Sequence, residues 1–213
     1  MAEGGIGSGS AAIETAVVVR ASDADAGDDK MEKAAARAGK TAWDIAAFYT
    51  EDSILEEFDQ VHGMAMEHDN FWATVGVHPD NEGVAEPDVL DLVRRSALPR
   101  VVAIGETGLD YYRLTGDLEW QRERFRNHIR AARAAGKPLI IHTRSAAEDT
   151  LRLMQEEGAE QAGGVMHCFT ESWAVAEGAL AMGFYISFSG IVTFKNAKDL
   201  KEVARRVPLD RLL

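Results

Sequence analysis

Residues 101–110 read VVAIGETGLD, an apolar run that ends in a glycine-flanked acidic group. The run has the continuous hydrophobicity of a strand covered on both faces, and Glu106 closely follows its last aliphatic residue. Two later segments repeat this arrangement, because PLII runs into His142 and GVM runs into His167. The carboxyl ends of the strands of a parallel barrel share one rim. The sequence therefore predicts that these three side chains meet at that rim.

Alternation of strands and amphipathic helices indicates an α/β fold with a parallel sheet. A doubly wound sheet would show the same alternation, but it concentrates its site at one switch point. Polar groups at several consecutive strand exits instead favour a TIM-type (β/α) barrel. The strands are predicted at residues 71–77, 101–104, 139–141, 165–166 and 184–188.

The amino-terminal segment differs from the rest of the chain. Residues 1–39 are rich in Gly, Ala, Ser and Asp, and they are predicted to be an atypical, low-complexity, flexible segment. The apolar patch at residues 16–19 could supply one strand within it. Residues 40–213 are predicted to be the barrel domain, although the 213-residue chain is shorter than the roughly 250 residues of a typical barrel.

Composition limits the class of protein. A net charge of -12 argues against nucleic-acid binding through a basic face, so bound cations would have to neutralise any phosphate. A single cysteine allows no intramolecular disulfide, and neither an apolar span nor a secretory leader is recognisable. We expect a cytoplasmic protein with no membrane association and no obligate protein partner.

Glu106, His142 and His167 form the main candidate for chemistry. Imidazole and carboxylate together suit zinc, manganese or iron, and a carboxylate can bridge two ions. Each residue alone would more often be a hydrogen-bonded structural group. Their three equivalent positions at strand exits favour a metal site.

Further polar groups are predicted near the same rim. His78 could contact a phosphate or move a proton, and it could equally be a loop histidine that caps the backbone. Arg144 could bind a phosphate oxygen or form a salt bridge to Glu148. Asp110 could accept a hydrogen bond from a ligating histidine or be a turn residue.

The sequence indicates the roles of several other polar and aromatic side chains less specifically. Tyr111, Tyr112 and Arg113 could line a base- or phosphate-binding wall, although packing at the rim is the simpler role for the tyrosines. Cys168 is predicted to be a small buried hydrophobic group, and Asn196 is a candidate cap for the last helix. Three histidines on helical segments are predicted to be solvated surface groups: His62, His68 and His128.

Five motifs resemble the TatD-like metal-dependent hydrolases, the TatD DNase family, over residues 53–213. They are VGVHPD, VVAIGETGLDYYR, KPLIIHTRSA, GGVMHCFTES and GFYISFSGIVTFKNAKDL, in the family's order. The resemblance implies a TIM-type barrel whose divalent metal centre cleaves phosphodiesters, as a DNase or 3′-5′ exonuclease. It implies that Glu106 is the bridging carboxylate, with His142 and His167 as ligands of one ion. His78, Asp110 and Arg144 match positions near the pocket, and we take His78 and Arg144, with Glu106, as the catalytic candidates.

The chain departs from the family pattern at both ends. It contains no His-x-His, and it stops before the Glu-Thr-Asp that follows the segment resembling residues 207–213. These departures imply a truncated or rearranged sequence and an incomplete barrel, with an atypical first strand and no eighth strand. The family normally binds two ions, and only one site is expected here, for Mg²⁺, Mn²⁺ or Zn²⁺.

Three functions remain open from the sequence. The leading hypothesis is a TatD-type phosphodiesterase with a DNA or nucleotide substrate. A metal-dependent amide or ester hydrolase on the same barrel and a non-catalytic fragment are the alternatives. We expect the chain to bind at most one divalent ion tightly and to hydrolyse DNA weakly or not at all.

Overall fold

The computed structural model describes the backbone of residues 17–21, 43–47 and 54–57 and the whole of residues 58–68, 71–84, 86–112 and 114–213. Most of the segment 1–39 lies outside these residues, so its predicted flexibility stays a prediction. The predicted domain boundary at residues 39–40 lies outside them as well. Within them, no helix combines the length and the apolar character that crossing a bilayer requires.

Strands and helices alternate along the described chain from the third strand onward. The strands are β1 (Val17–Ala21), β2 (Trp43–Ala47), β3 (Phe71–Val75), β4 (Val101–Asp110), β5 (Leu139–Arg144), β6 (Gly164–Met166) and β7 (Tyr185–Ile186). The helices are α1 (Ile54–Glu67), α2 (Val89–Ser96), α3 (Glu119–Ala135), α4 (Ala147–Glu156), α5 (Trp173–Ala181) and α6 (Lys198–Arg206). Asn196 is not the cap of α6, because the residue preceding the helix is Ala197 and it makes no side-chain capping bond.

The strands form one sheet in the order β2-β1-β3-β4-β5-β6-β7. Strands β3 to β7 are parallel and lie in sequence order, as expected of a barrel wall. Strand β1 instead runs antiparallel to β3 and β2, so the first strand is atypical as predicted. At the other edge Leu212 forms a parallel bridge to Ile186, which places residues 212–213 at the position that follows β7. The described strands do not close into a ring.

The two faces of the sheet are covered differently. The main apolar core includes residues of α1 to α6 and lies between the helices and the sheet. A second, smaller cluster consists of strand residues and Leu213 and, among the described residues, contains no helical side chain. A doubly wound sheet would carry helices on both faces, so this arrangement is that of a (β/α) barrel wall, and the predicted fold class is confirmed. The second cluster comprises Trp72, Val102, Ala103, Ile140, Val165, Tyr185 and Leu213.

Helix α3 carries polar side chains on its buried face. Gln121 and His128 are fully buried, and Arg124 is 1% exposed. The prediction that His128 is a solvated surface group is therefore wrong. Its spacing from Phe125 and Ala132 places it on the apolar stripe of the helix. This spacing indicates burial, whereas the residue type alone suggests an exposed side chain.

Candidate metal centre

Glycines allow β4 to approach its neighbours at the rim. The pairing of β4 with β5 shifts register between Ile104 and Thr107; Gly105 lies within this stretch and Gly108 directly follows it, with φ of 148° and 133°. A Cβ on Gly105 would lie 2.5 Å from the carbonyl oxygen of Ile140. A Cβ on Gly108 would fall well inside van der Waals contact with a β5 carbonyl oxygen. This close packing brings Glu106 to His142, in the second half of β5, and to His167, directly after β6.

Glu106 is a buried carboxylate with two histidine neighbours. Its side chain is 2% exposed, and Oε1 lies 2.9 Å from Nδ1 of His167 and 3.6 Å from Nδ1 of His142. Burial alone would raise the pKa of Glu106, but the hydrogen bonds and charges of the two imidazoles outweigh it and hold the pKa far below its usual range. The other oxygen, Oε2, is buried without a hydrogen-bond partner among the described residues. The carboxylate thus keeps its charge and has one oxygen available to a ligand.

His142 lies between two carboxylates. Its Nε2 is 3.0 Å from Oδ2 of Asp110, while its Nδ1 faces Glu106. Although burial lowers the pKa of His142, the bonds to Asp110 and Glu106 raise it to about 9. The predicted contact between Asp110 and a candidate ligand histidine is therefore confirmed. Such a carboxylate fixes the orientation of the ring.

His167 has a second polar neighbour. Its Nε2 lies 3.4 Å from Sγ of Cys168, and burial, which lowers its pKa, is outweighed by the bonds to Cys168 and Glu106, which raise it to about 10. Cys168 is exposed and has a φ of 46°. The prediction that Cys168 is buried is wrong, because the chain turns sharply after β6 and directs this side chain to solvent.

His78 joins the same site from the end of β3. It is 3% exposed, its ring centroid lies 4.6 Å from that of His142, and its Nδ1 is bonded to the carboxylate of Asp80. The ligand atoms of His78, Glu106 and His142 all lie within 4.8 Å of one another. The structure thus brings the predicted trio together at Glu106 and adds His78 as a third donor in a compact group. The assignment of ligand and catalytic roles among them remains a prediction.

Three buried residues of α3 hold the backbone that carries the site. His128 accepts the N–H of Val77 at 2.9 Å through Nε2, and its Nδ1 donates to the carbonyl of Arg124. Arg124 donates to the carbonyls of His78 and Asn81 at 3.0 and 2.9 Å, and two of its nitrogens bond Glu86 at 2.8 Å each. Side chains of α3 therefore hold the backbone of the loop that carries His78.

Gln121 does the same for the end of β4. Its Oε1 accepts the N–H of Asp110 at 2.9 Å, and its Nε2 donates to the Asp110 carbonyl at 3.1 Å. Sequence reasoning missed Gln121 and Arg124, although both fall on or beside the inward stripe of α3. A polar residue at an inward helical position is the signal that could have found them, because a buried polar group needs a partner in the neighbouring layer.

Arg144 lies at the end of β5 beside an exposed aromatic ring. Its guanidinium carbon is 3.9 Å from the ring centroid of Tyr112. Among the described residues no salt bridge joins it to Glu148, so the predicted structural alternative is not seen there. Its role with phosphate stays a prediction. Arg113 lies outside the described residues.

The donor set fits a divalent ion. Carboxylate and imidazole groups are the usual protein ligands of zinc and manganese, and three of them lie in one compact group. Oε2 of Glu106, which has no hydrogen-bond partner within the described part of the chain, supports the fit, because a buried anionic oxygen without a partner is costly unless a cation lies beside it. Glu106 and His142 belong both to this group and to the predicted ligand set, whereas His167 contacts Oε1 of Glu106 from outside the group.

Acidification is expected to weaken stability through His128. Burial lowers its pKa from 6.5 to about 4, so the folded protein keeps it neutral while the unfolded chain protonates. The stabilisation is complete above pH 6.5 and is lost as the pH falls towards 4, with a loss of about 2 kcal/mol by about pH 5. Urea unfolding of the wild type and His128→Gln at several pH values measures this. The free energy of unfolding should fall less steeply with decreasing pH in His128→Gln than in the wild type. Equal pH dependence of the two proteins would contradict the prediction. His68→Gln, at an exposed histidine, is the control.

Metal binding is expected to release protons. With pKa values of about 9 and 10, His142 and His167 are protonated at neutral pH, whereas a metal binds neutral imidazole. The apparent affinity for Mn²⁺ should therefore rise with pH. Calorimetric titration in buffers of different ionisation enthalpy should show release of about two protons if both histidines ligate and about one if only His142 does. Binding without proton release would contradict the prediction.

Comparison with known proteins identifies the family of the chain. Residues 19–213 match the family described as "TatD related DNase", so the match begins well before the motifs noted above. The chain is 47% identical over 187 residues to the "Uncharacterized metal-dependent hydrolase YcfH" of Escherichia coli K12, covering 87% of this chain and 68% of that protein. It is 31% identical over 164 residues to the "3'-5' ssDNA/RNA exonuclease TatD" of Shigella flexneri, covering 75% and 62%.

A solved structure shows the same fold. The crystal structure of YJJV, a TatD homolog from Escherichia coli K12, aligns with a TM-score of 0.66 and 27% identity over 74% of this chain and 62% of that chain. The chain thus spans about two thirds of the length of the relatives that it matches. Family match, sequence identity and fold agree, and the chain belongs to the TatD-related DNase family of metal-dependent hydrolases.

Proposed function

We propose that the chain hydrolyses phosphodiester bonds of DNA at the Glu106 site, in the manner of a DNase or 3′-5′ exonuclease. The observation that carries the proposal is the buried Glu106 carboxylate, which has histidines on one oxygen and, among the described residues, no hydrogen-bond partner on the other. We further propose that Glu106, His142 and His167 hold one divalent ion, Mg²⁺, Mn²⁺ or Zn²⁺. When bound, this ion would neutralise charge on the phosphate and activate the attacking water.

The surrounding residues have distinct tasks in this proposal. Asp110 holds the His142 ring in place, and Glu106 supplies the negative charge that keeps the cation at the rim. Arg144 binds a non-bridging phosphate oxygen, because a guanidinium matches the geometry of an oxyanion. His78, positioned by Asp80 and by the carbonyl contact to Arg124, moves a proton at its imidazole during the reaction.

Support for a nucleic-acid substrate comes from one relative that carries the name of a single-stranded DNA and RNA exonuclease. The more similar relative is named only as a metal-dependent hydrolase, so the substrate is part of the proposal. The net charge of -12 makes the bound cation and Arg144 the main attraction for a phosphate at this rim. A cytoplasmic location is proposed on the basis of the single cysteine.

A cleavage assay with the purified chain tests the proposal. A single-stranded DNA labelled at its 5′ end is incubated with Mg²⁺, Mn²⁺ or Zn²⁺, alongside amide and carboxylic ester substrates. We expect slow, metal-dependent shortening of the DNA, at most one tightly bound ion, and loss of activity in Glu106→Gln. The exposed Glu177→Gln serves as the control and should behave as the wild type. Cleavage of the amide or ester alone, or DNA cleavage that survives Glu106→Gln, would overturn the proposal.

A further inference from the structure

Tyr112 is an exposed aromatic ring anchored to the metal centre. Its side chain is 64% exposed, whereas its backbone N–H donates to Oδ1 of Asp110 at 2.9 Å. The other oxygen of Asp110 is bonded to His142. The aromatic side chain therefore starts two residues from a group that touches the site, and its backbone position is fixed by the same carboxylate.

The neighbouring tyrosine has a structural role that Tyr112 lacks. The hydroxyl of Tyr111 donates to Asp149 at 2.7 Å and accepts from Arg122 at 3.1 Å, which ties it to α3 and α4. Tyr112 makes no such hydroxyl bond among the described residues, and most of its surface faces solvent. Tyrosine is enriched at binding interfaces, where its apolar ring and polar hydroxyl can both make contacts.

Arg144 lies against the Tyr112 ring. With 3.9 Å between its guanidinium carbon and the ring centroid, the cation rests on the π surface of the ring. Arg144 ends β5 at the rim, so a phosphate oxygen and an aromatic surface are offered side by side. The one class of ligand that carries a phosphate next to a flat π system in a regular repeat is a nucleotide chain.

We propose that Tyr112 and Arg144 form a subsite for the unpaired nucleobase that adjoins the phosphate at the metal centre. This inference rests on the proposed function and deepens it, because it assigns recognition of the base beside the scissile phosphate to two named side chains. Bases within a duplex are already stacked on both faces, whereas an unpaired base can stack on an aromatic side chain. Stacking depends little on charge. It can therefore contribute affinity for a nucleic acid in an acidic protein, which has no basic groove to attract the phosphates.

Binding measurements with and without bases test the subsite. The probes are a single-stranded deoxytetranucleotide with phosphorothioate linkages, which resist cleavage, and its abasic counterpart, both with Mg²⁺. Tyr112→Leu should weaken binding of the base-containing strand by about 5- to 100-fold and leave the abasic strand unchanged. Tyr112→Phe should retain the affinity, because it keeps the ring. Leu90→Ala, at an exposed residue of α2 that is 67% exposed, is the control for general surface changes.

The outcomes separate the subsite from the proposed function. Equal affinity of the wild type for the two strands, or equal loss of both in Tyr112→Leu, would overturn the subsite while cleavage of DNA leaves the phosphodiesterase proposal intact. A blunt duplex that binds as tightly as the single strand would also overturn it. If neither strand binds and no DNA is cleaved with any of the three ions, both proposals fail.

Discussion

Replacing Glu106 by glutamine is expected to reduce divalent-metal affinity by more than 100-fold and to lower the pKa values of both neighbouring histidines. Glutamine keeps the size of the side chain but removes a charge that, together with Asp110 at His142 and Cys168 at His167, raises their pKa values to about 9 and about 10. Loss of a residue that merely orients a ligand costs about 10- to 100-fold in affinity, so loss of a ligand should cost more. Calorimetry with Mn²⁺ gives the affinity, and NMR titration of the metal-free protein gives the pKa values.

The Mn²⁺ affinity and the histidine pKa values test the role of Glu106 independently. His142 still faces Asp110 in the variant, so its pKa should fall less than that of His167, whose remaining polar neighbour is Cys168. Glu177→Gln, an exposed carboxamide substitution on α5, should change neither the affinity nor the titrations. Unaltered histidine pKa values in Glu106→Gln would show that the carboxylate does not control the site.

Gly108→Ala is expected to destabilise the protein by about 3 kcal/mol or more, or to prevent folding. The φ of 133° is one that alanine rarely adopts, and the new Cβ would overlap the carbonyl oxygen of His142. Backbone atoms of a central strand cannot move aside as the end of a flexible side chain can. The measurement is the urea dependence of the circular dichroism signal or, if the variant does not fold, the soluble yield.

Gly63→Ala provides the matched control. Gly63 lies in α1, and a Cβ there would meet nothing within 4 Å. Alanine has the higher helix propensity and restricts the unfolded chain, so a stabilisation of about 0.4–1 kcal/mol is expected. An unfolding midpoint of Gly108→Ala close to that of the wild type would contradict the prediction. It would show that β4 and β5 leave room for a methyl group at this position.

Local sequence determined the order of the fold and the place of the candidate site. Uninterrupted apolar runs separated by helical periodicity placed the strands near residues 71–77, 101–104 and 139–141, and the structure has β3, β4 and β5 there. Strands covered on both faces must be apolar throughout, so they can be recognised without knowledge of their partners. The structure extends β4 to Asp110 and β5 to Arg144, so Glu106 and His142 lie in the second halves of these strands, and His167 directly follows β6. Glu106, His142 and His167 could therefore be assigned to one rim before any contact was known.

Tertiary structure decided which atoms meet. Glu106 and His167 lie 61 residues apart in sequence, and their 2.9 Å contact depends on the packing of three strands. The same holds for the support from α3, where Gln121, Arg124 and His128 reach the rim backbone across the helix–sheet interface. Propensity and periodicity describe neighbours within about one helical turn or one strand pair. They carry no information on partners in another layer.

Exposure was the other property that residue type alone could not assign. His128 resembled a surface histidine and is fully buried, whereas Cys168 resembled a core residue and faces solvent. Residue type fixes the cost of burial, but the packed neighbours decide whether that cost is offset. His128 is tolerated inside because the N–H of Val77 and the carbonyl of Arg124 satisfy both of its ring nitrogens. Cys168 is held outside because the backbone turn after β6 directs it there, and only the assembled sheet sets that turn.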